Sequence, residues 1–172
     1  MDIRSSAILC TSNLASNCLN HTALSTVNCI KPLVRSVSEQ SRQMKLRAVS
    51  ALRGLSTSND LRLRIIEQGG LTPLLELTNT DDVELQMEVL ATLCNLSLGG
   101  CIGENRKEVL EKVNMSNLVS FLCSADSTYR LFGAVTIGNI ASDLGLQPPV
   151  VKSGALTPLI TTANSADLET QR

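Results

Sequence analysis

The sequence predicts an all-α chain of stacked three-helix repeats, and three observations carry that expectation. Two short motifs recur in one phase along the 172 residues, the segments between them show apolar residues at helical spacing, and aromatics make up only 2%. A core with so few aromatics must be assembled from Leu, Ile, Val and Ala, which suit helices that lie close together.

The first motif reads Gly70-Leu71-Thr72-Pro73-Leu74-Leu75 and again Ala155-Leu156-Thr157-Pro158-Leu159-Ile160. An earlier copy is Cys29-Ile30-Lys31-Pro32-Leu33-Val34, and a degenerate one is Asn114-Met115-Ser116-Asn117-Leu118-Val119. Counted at positions 32, 73, 117 and 158, the spacings are 41, 44 and 41. The second motif comprises Thr11-Ser12-Asn13-Leu14-Ala15, Leu52-Arg53-Gly54-Leu55-Ser56, Leu93-Cys94-Asn95-Leu96-Ser97 and Ile137-Gly138-Asn139-Ile140-Ala141. At its third residue the spacings are 41, 41 and 44, and it always follows the first motif by 22 residues. The additional three residues fall between 95 and 117, in the glycine-rich stretch Gly99-Gly100-Cys101-Ile102-Gly103. A fixed period of this length is the signature of a repeat array.

Within each repeat the residues dictate a short helix, a turn, a medium helix and a long helix. Leu85, Val89, Leu93 and Leu96 line one face of a long helix, and Leu46, Ala48, Val49, Leu52 and Leu55 do much the same. The long helices are expected near 2–17, 39–57, 81–98 and 126–143. Asp81-x-x-Glu84 forms a capping-box-like start for one, and Ser38 with Glu39 a start for another. Gly69-Gly70 and Gly154 are placed to end short helices in the left-handed conformation, with Asn28 and Asn114 in similar positions. Pro32, Pro73 and Pro158 then fit the first turn of the next helix, where a missing N–H costs nothing. The expected organisation is a single array over 1–172, with full repeats at 18–57, 58–98 and 99–144 and partial repeats at 1–17 and 145–172. Both ends stop inside a helix, which suggests a fragment of a longer array. Apolar residues near those ends, Ile8, Leu9 and Leu14 at one and Leu156, Leu159 and Ile160 at the other, are expected to be open to self-association.

Composition narrows the function. The net charge of -1 gives no bulk attraction to nucleic acid, and Arg62, Arg64, Arg106 and Lys107 are too sparse for a nucleic-acid groove. Charge is nevertheless uneven: residues 1–72 carry nine Lys/Arg against four Asp/Glu, and residues 73–172 carry six against twelve. The six cysteines, Cys10, Cys18, Cys29, Cys94, Cys101 and Cys123, form no C-x2-C pair, and His21 is the only histidine. They read as small apolar residues in a reducing compartment, cytoplasmic or nuclear, and no metal or cofactor is expected. No apolar run reaches the roughly 18 residues of a membrane span, no secretory signal is present, and Asp2 stands where myristoylation needs glycine. With one histidine and no candidate triad, hydrolytic chemistry lacks its base. Gly99–Gly103 lacks the Gly-Lys-Ser/Thr ending of a phosphate loop and reads as an insertion between repeats.

Gly-x-Leu-Thr-Pro-Leu, with Asn-Leu-Ser or Asn-Ile-Ala 22 residues after its proline, resembles the armadillo repeat, and the resemblance covers the whole chain. It implies a right-handed α-solenoid whose third helices line a concave groove. In that family asparagine side chains of the third helices hydrogen-bond the main chain of an extended peptide. Carried over, that ladder is Asn13, Asn95 and Asn139, broken by Gly54. The importin-alpha branch has tryptophan four residues earlier; here Leu9, Ser50, Ala91 and Val135 stand there. The chain therefore looks closer to beta-catenin-type or vacuole-tethering scaffolds.

Seven residues before the asparagine column lie Ser6, Arg47, Glu88 and Phe132, on the same helix face. The expected partner-binding groove is thus Asn13, Arg47, Ser50, Glu88, Asn95, Phe132 and Asn139, with acidic partner residues near Arg47 and basic ones near Glu88. The alternative is that the asparagines bond neighbouring helix ends and hold repeats together. The expected function is a non-catalytic scaffold that binds proteins or peptides. The alternatives are a cargo adaptor of the importin-alpha type and the substrate-recognition segment of an armadillo-containing ubiquitin ligase.

Overall fold

A computed structural model describes residues 3–98 and 114–164, and all regular structure among them is helical. Internal packing divides the chain into two units, Met1–Leu96 and Ser97–Arg172.

The first unit opens with the long helix α1 (Ile3–Ala15), then a 3-10 turn at Cys18–Asn20 and a short α2 (His21–Thr26). The medium α3 (Ile30–Val37) and the long α4 (Arg42–Leu55) complete that repeat. The next repeat supplies α5 (Asn59–Glu67), α6 (Leu71–Leu77) and α7 (Val83–Ser97), the last residue of which opens the second unit. There the described helices are the medium α8 (Met115–Leu122), the long α9 (Ser127–Ala141), the short α10 (Gln147–Lys152) and the medium α11 (Leu156–Ala163).

Helix α4 shows how the sequence builds the core. It packs on α1, on α3 and on α5, so it needs more than one apolar face. Met44, Ala48, Leu52 and Leu55 supply one stripe, and Val49 and Ala51 widen it; all six are buried. The alanines let neighbouring backbones approach. The closest approach is at Gly54, where an added Cβ would lie 2.6 Å from the main-chain oxygen of Ala15. In α7, Leu85, Val89, Leu93 and Leu96 are all buried, as their spacing demands. In the second unit α9 lies on α8 and α10, burying Gly133, Thr136, Ile137 and Ile140.

The helix boundaries correct several expectations. Helix α4 starts at Arg42 with Ser41 as its cap, the Ser41 hydroxyl accepting the Met44 N–H at 3.4 Å. Ser38 cannot start it, because Ser38 closes α3 and its N–H donates to Arg35 and Ser36 carbonyls. The acidic cap of α7 is Asp82 rather than Asp81: its Oδ1 accepts the Leu85 N–H at 3.3 Å. Glu84 does not return to close a capping box, because its carboxylate is held by Arg42. Gly69 and Gly154 adopt φ of 78° and 80°, and Asn28 adopts 49°, as left-handed helix ends. Asn114 does not. Its φ is -75° and its side chain caps the start of α8 by accepting the Ser116 N–H. Gly70 is right-handed, with φ of -68°, and needs its small size because Ile65 Cγ2 stands 2.7 Å from where a Cβ would be. Pro32, Pro73 and Pro158 all fall in the first turn of their helices. Ile8, expected to be exposed, is buried, because its face of α1 also carries Ser5 and Ala15 into the core. Leu9 is half-buried; Leu14, Leu156 and Ile160 are exposed.

Two glycines separate close approach from mere helix propensity. Gly54→Ala forces its Cβ onto the Ala15 carbonyl and is expected to lower the unfolding free energy by about 1–3 kcal/mol. Gly138→Ala meets nothing within 4 Å and is expected to raise it by about 0.5–1 kcal/mol. Urea denaturation followed by circular dichroism reads both; similar changes would refute the close-approach account.

Candidate functional site

The long helices carry the candidate residues on their partly exposed sides. In the first unit Arg47, Ser50, Glu88 and Asn95 are half-buried and Asn13 is exposed. In the second unit Phe132 and Asn139 are half-buried. Arg47, Ser50 and Gly54 recur at three- and four-residue steps along α4, as do Glu88, Ala91 and Asn95 along α7, so each set shares a face.

Asn95 and Asn139 are engaged with the scaffold. Asn95 Nδ2 donates to Ser56 Oγ at 3.1 Å and to the Arg53 carbonyl at 3.4 Å, both at the C-terminal end of α4. A main-chain carbonyl only accepts, so the amide must present its nitrogen there, and Oδ1 is the atom not spent in these bonds. Ser56 completes the arrangement by donating its own proton to the Arg53 carbonyl at 2.7 Å. Within the second unit Asn139 Nδ2 donates to Ser97 Oγ at 2.9 Å. The position before Asn95 in the ladder is Gly54. The helix end it faces has Ala15 in place of a serine, and the buried His21 meets the Ala15 carbonyl with Nε2 at 2.8 Å. Since that carbonyl accepts, Nε2 carries the proton. His21 and Cys29 therefore have local roles: Cys29 Sγ donates to the Leu24 carbonyl at 3.3 Å. Burial raises the Cys29 thiol above its usual range. Among the described residues no group of His, Cys, Asp or Glu is placed to hold a metal ion, and no helix is long and apolar enough to cross a membrane.

The charges of the same helices are coupled between repeats. Arg42 donates through Nε and Nη2 to Asp82 and through Nη2 to Glu84, the last at 2.7 Å. Arg53 Nε lies 3.0 Å from Glu88 Oε2. Glu88 Oε2 is itself buried without an aligned hydrogen bond, so this contact is Coulombic rather than directional. Among the described residues Arg47 meets no carboxylate: its Nη1 donates to Ser5 Oγ at 2.7 Å and to the Ser5 carbonyl at 3.3 Å.

Sequence reasoning missed the Arg42 and Arg53 pairings, which join residues roughly one repeat apart and carry no local motif. It also missed a cavity between consecutive medium helices. In the first unit Val34, Arg35, Ser38, Thr72, Pro73 and Glu76 line about 420 Å³. In the second, Leu122, Cys123, Arg130, Thr157, Pro158 and Thr161 help to line about 450 Å³. The Thr-Pro dipeptide at both places was the available signal. The Gly99–Gly103 insertion lies outside the described residues.

Two measurements test this geometry. Asn95→Ala removes the donor to Ser56 and is expected to cost about 1 kcal/mol, whereas Asn13→Ala, on an exposed residue, is expected to cost little; equal losses in urea melts would refute the inter-repeat bond. The hydrogen bond from Arg42 holds the Asp82 carboxyl below the usual carboxylate range. A depressed folded-state value gives stabilisation that is present above the unfolded value, about 3.9, and is lost as pH falls through the folded one. Arg42→Ala is therefore expected to flatten the acid limb of the stability profile below about pH 4; an unchanged limb contradicts the pairing.

The family model for the armadillo/beta-catenin-like repeat matches residues 58–98. No curated protein matches the sequence significantly. Among solved structures the chain is similar to a designed armadillo repeat protein at 25% identity and TM-score 0.87, over 96% of this chain and 70% of that one. It is similar to armadillo repeat proteins computationally designed for modular peptide recognition at 25% identity and TM-score 0.86, over 97% and 71%. A third designed armadillo protein, solved in complex with a (KR)4 peptide, matches at 26% identity and TM-score 0.85, over 97% and 70%. With its all-α repeats, its inter-repeat asparagines and these likenesses, the chain carries an armadillo/beta-catenin-like repeat at residues 58–98 and shares the fold of armadillo repeat proteins.

Proposed function

We propose that the chain is a protein-binding scaffold that takes an extended peptide, or an extended segment of a partner protein, along the partly exposed faces of its long helices. The observation that carries this reading is Asn95. Its amide nitrogen is fixed by Arg53 and Ser56, which holds Oδ1 in a set position as an acceptor for a partner's main-chain N–H. Such a contact gives affinity with little demand on the partner's sequence. Ser50 and Ala91, small residues one turn before the ladder, leave room for a backbone beside the helices. Similar designed proteins recognise peptides, which supports the same use of the fold here. The repeat bounds 18–57, 58–98 and 99–144, and partner residues at Phe132 and Asn139 in the second unit, belong to this proposal. So does a reducing, cytoplasmic or nuclear setting. The absence of tryptophan at Leu9, Ser50, Ala91 and Val135 favours a scaffold over a cargo adaptor of the importin-alpha type.

The test is selection of a random displayed peptide library on the immobilised chain, followed by amide chemical-shift mapping of a selected peptide. The largest shifts are expected at Arg47, Ser50, Ala91 and Asn95 in the first unit. Ser50→Arg, which fills the face without touching the core, is expected to weaken binding at least tenfold. Shifts confined to α3 and α6, with Ser50→Arg harmless, would falsify the groove reading and move recognition to the medium helices.

A further inference from the structure

The arginines of α4 are not equivalent, and the difference bears on what the groove accepts. Arg42 is committed to Asp82 and Glu84. Arg53 is committed to Glu88. The three carboxylates that begin α7 and run along its first half therefore lie against two guanidiniums of the preceding repeat, Asp82 and Glu84 sharing Arg42. Arg47, between Arg42 and Arg53 on the same helix, is held among the described residues by the neutral hydroxyl and carbonyl of Ser5 alone. Those bonds orient the guanidinium without cancelling its charge. None of its other nitrogens is a buried orphan, so its remaining N–H groups are open to solvent. Lys45, the other cation of this helix, lies two positions away and so points to a different side of it.

We infer that Arg47 reads charge for the first unit: it takes a carboxylate from an Asp or Glu of the extended partner, and the unit selects acidic over basic segments. This deepens the groove reading above and rests on it. The physical case has three parts. A guanidinium pinned at one nitrogen keeps a planar edge for two parallel bonds to a carboxylate, and little further side-chain entropy is lost when they form. A half-buried site screens the pair less than open solvent does. A basic partner finds no matching site, because Glu84 and Glu88 are already paired and must first lose Arg42 or Arg53. The basic half of the polarity expected from sequence is thus satisfied inside the chain, and the acidic half is left for the partner.

The experiment uses the full chain and three fluorescein-labelled octapeptides, (Glu-Ser)4, (Ala-Ser)4 and (Lys-Arg)4, read by anisotropy at low and high salt. The acidic peptide is expected to bind at least about tenfold more tightly than the basic one, with the preference shrinking as salt rises. Arg47→Gln keeps a donor for Ser5 but removes the charge; it is expected to weaken the acidic peptide about tenfold and leave the neutral one unchanged. Arg47→Lys, which keeps the charge, is expected to recover part of the loss. Arg53→Ala, which frees Glu88, is expected to improve binding of the basic peptide. Melting curves confirm that each variant folds. Acidic binding that is indifferent to Arg47→Gln, or tighter binding of the basic peptide by the unaltered chain, overturns the inference. Equal binding of all three peptides, lost in Ser50→Arg, overturns the charge preference and leaves the groove reading standing. Binding of none overturns both.

Discussion

The last turn of an α-helix leaves main-chain carbonyls without intrahelical partners, and in a repeat array the next repeat can supply them. The seam between consecutive long helices is arranged around this need. At the end of α4 the Arg53 carbonyl receives Ser56 Oγ at 2.7 Å and Asn95 Nδ2 at 3.4 Å. At the end of α1 the Ala15 carbonyl is met instead by His21, 2.8 Å away. Gly54 then stands so near that a methyl group would collide with the same oxygen. Serine with asparagine and alanine with glycine are thus two answers to one requirement.

That requirement changes what the asparagine column means. A side chain that only bound ligand would be held by ligand alone. Asn95 is instead fixed in the unliganded chain, and its unspent oxygen is held where the seam puts it. Structural and binding roles are compatible here because an amide has two ends: the nitrogen serves the scaffold and the oxygen remains to accept. Preorganisation of this kind lowers the ordering cost that an extended partner would otherwise impose.

Much of this was legible in the sequence because the repeat announces itself twice, in the proline motif and in the asparagine motif, and both keep one phase. The stripe of Leu85, Val89, Leu93 and Leu96 was readable as core for the same reason, since apolar periodicity is a local signal. Helix starts were less legible. Asp81 and Asp82 are equivalent on paper, and only the bond from the Leu85 N–H to Asp82 Oδ1 shows which one caps the helix. Asn114 illustrates the same limit: asparagine suits both a left-handed end and an N-cap, and the local sequence does not choose. Arg47 and Glu88 were found as a column from spacing alone, but their different circumstances depend on Ser5 and Arg53, residues 42 and 35 positions away. Pairings of that range leave no trace in a local pattern.

Charge compensation explains why the two halves of that column behave differently. An arginine at the end of α4 and a glutamate in the middle of α7 meet because one helix is followed by a copy of itself displaced by one repeat. Exposed pairs such as Arg42 with Glu84 add little stability. Their stronger effect is on selection: a carboxylate already paired attracts a cation less, and a partner must compete with an arginine to use it. Arg47 sits where the repeat offers serine rather than glutamate as its neighbour, since Ser5 belongs to α1, which has no acidic residue in its first turn. The residue that the preceding repeat fails to neutralise is the one whose charge remains for a partner to meet.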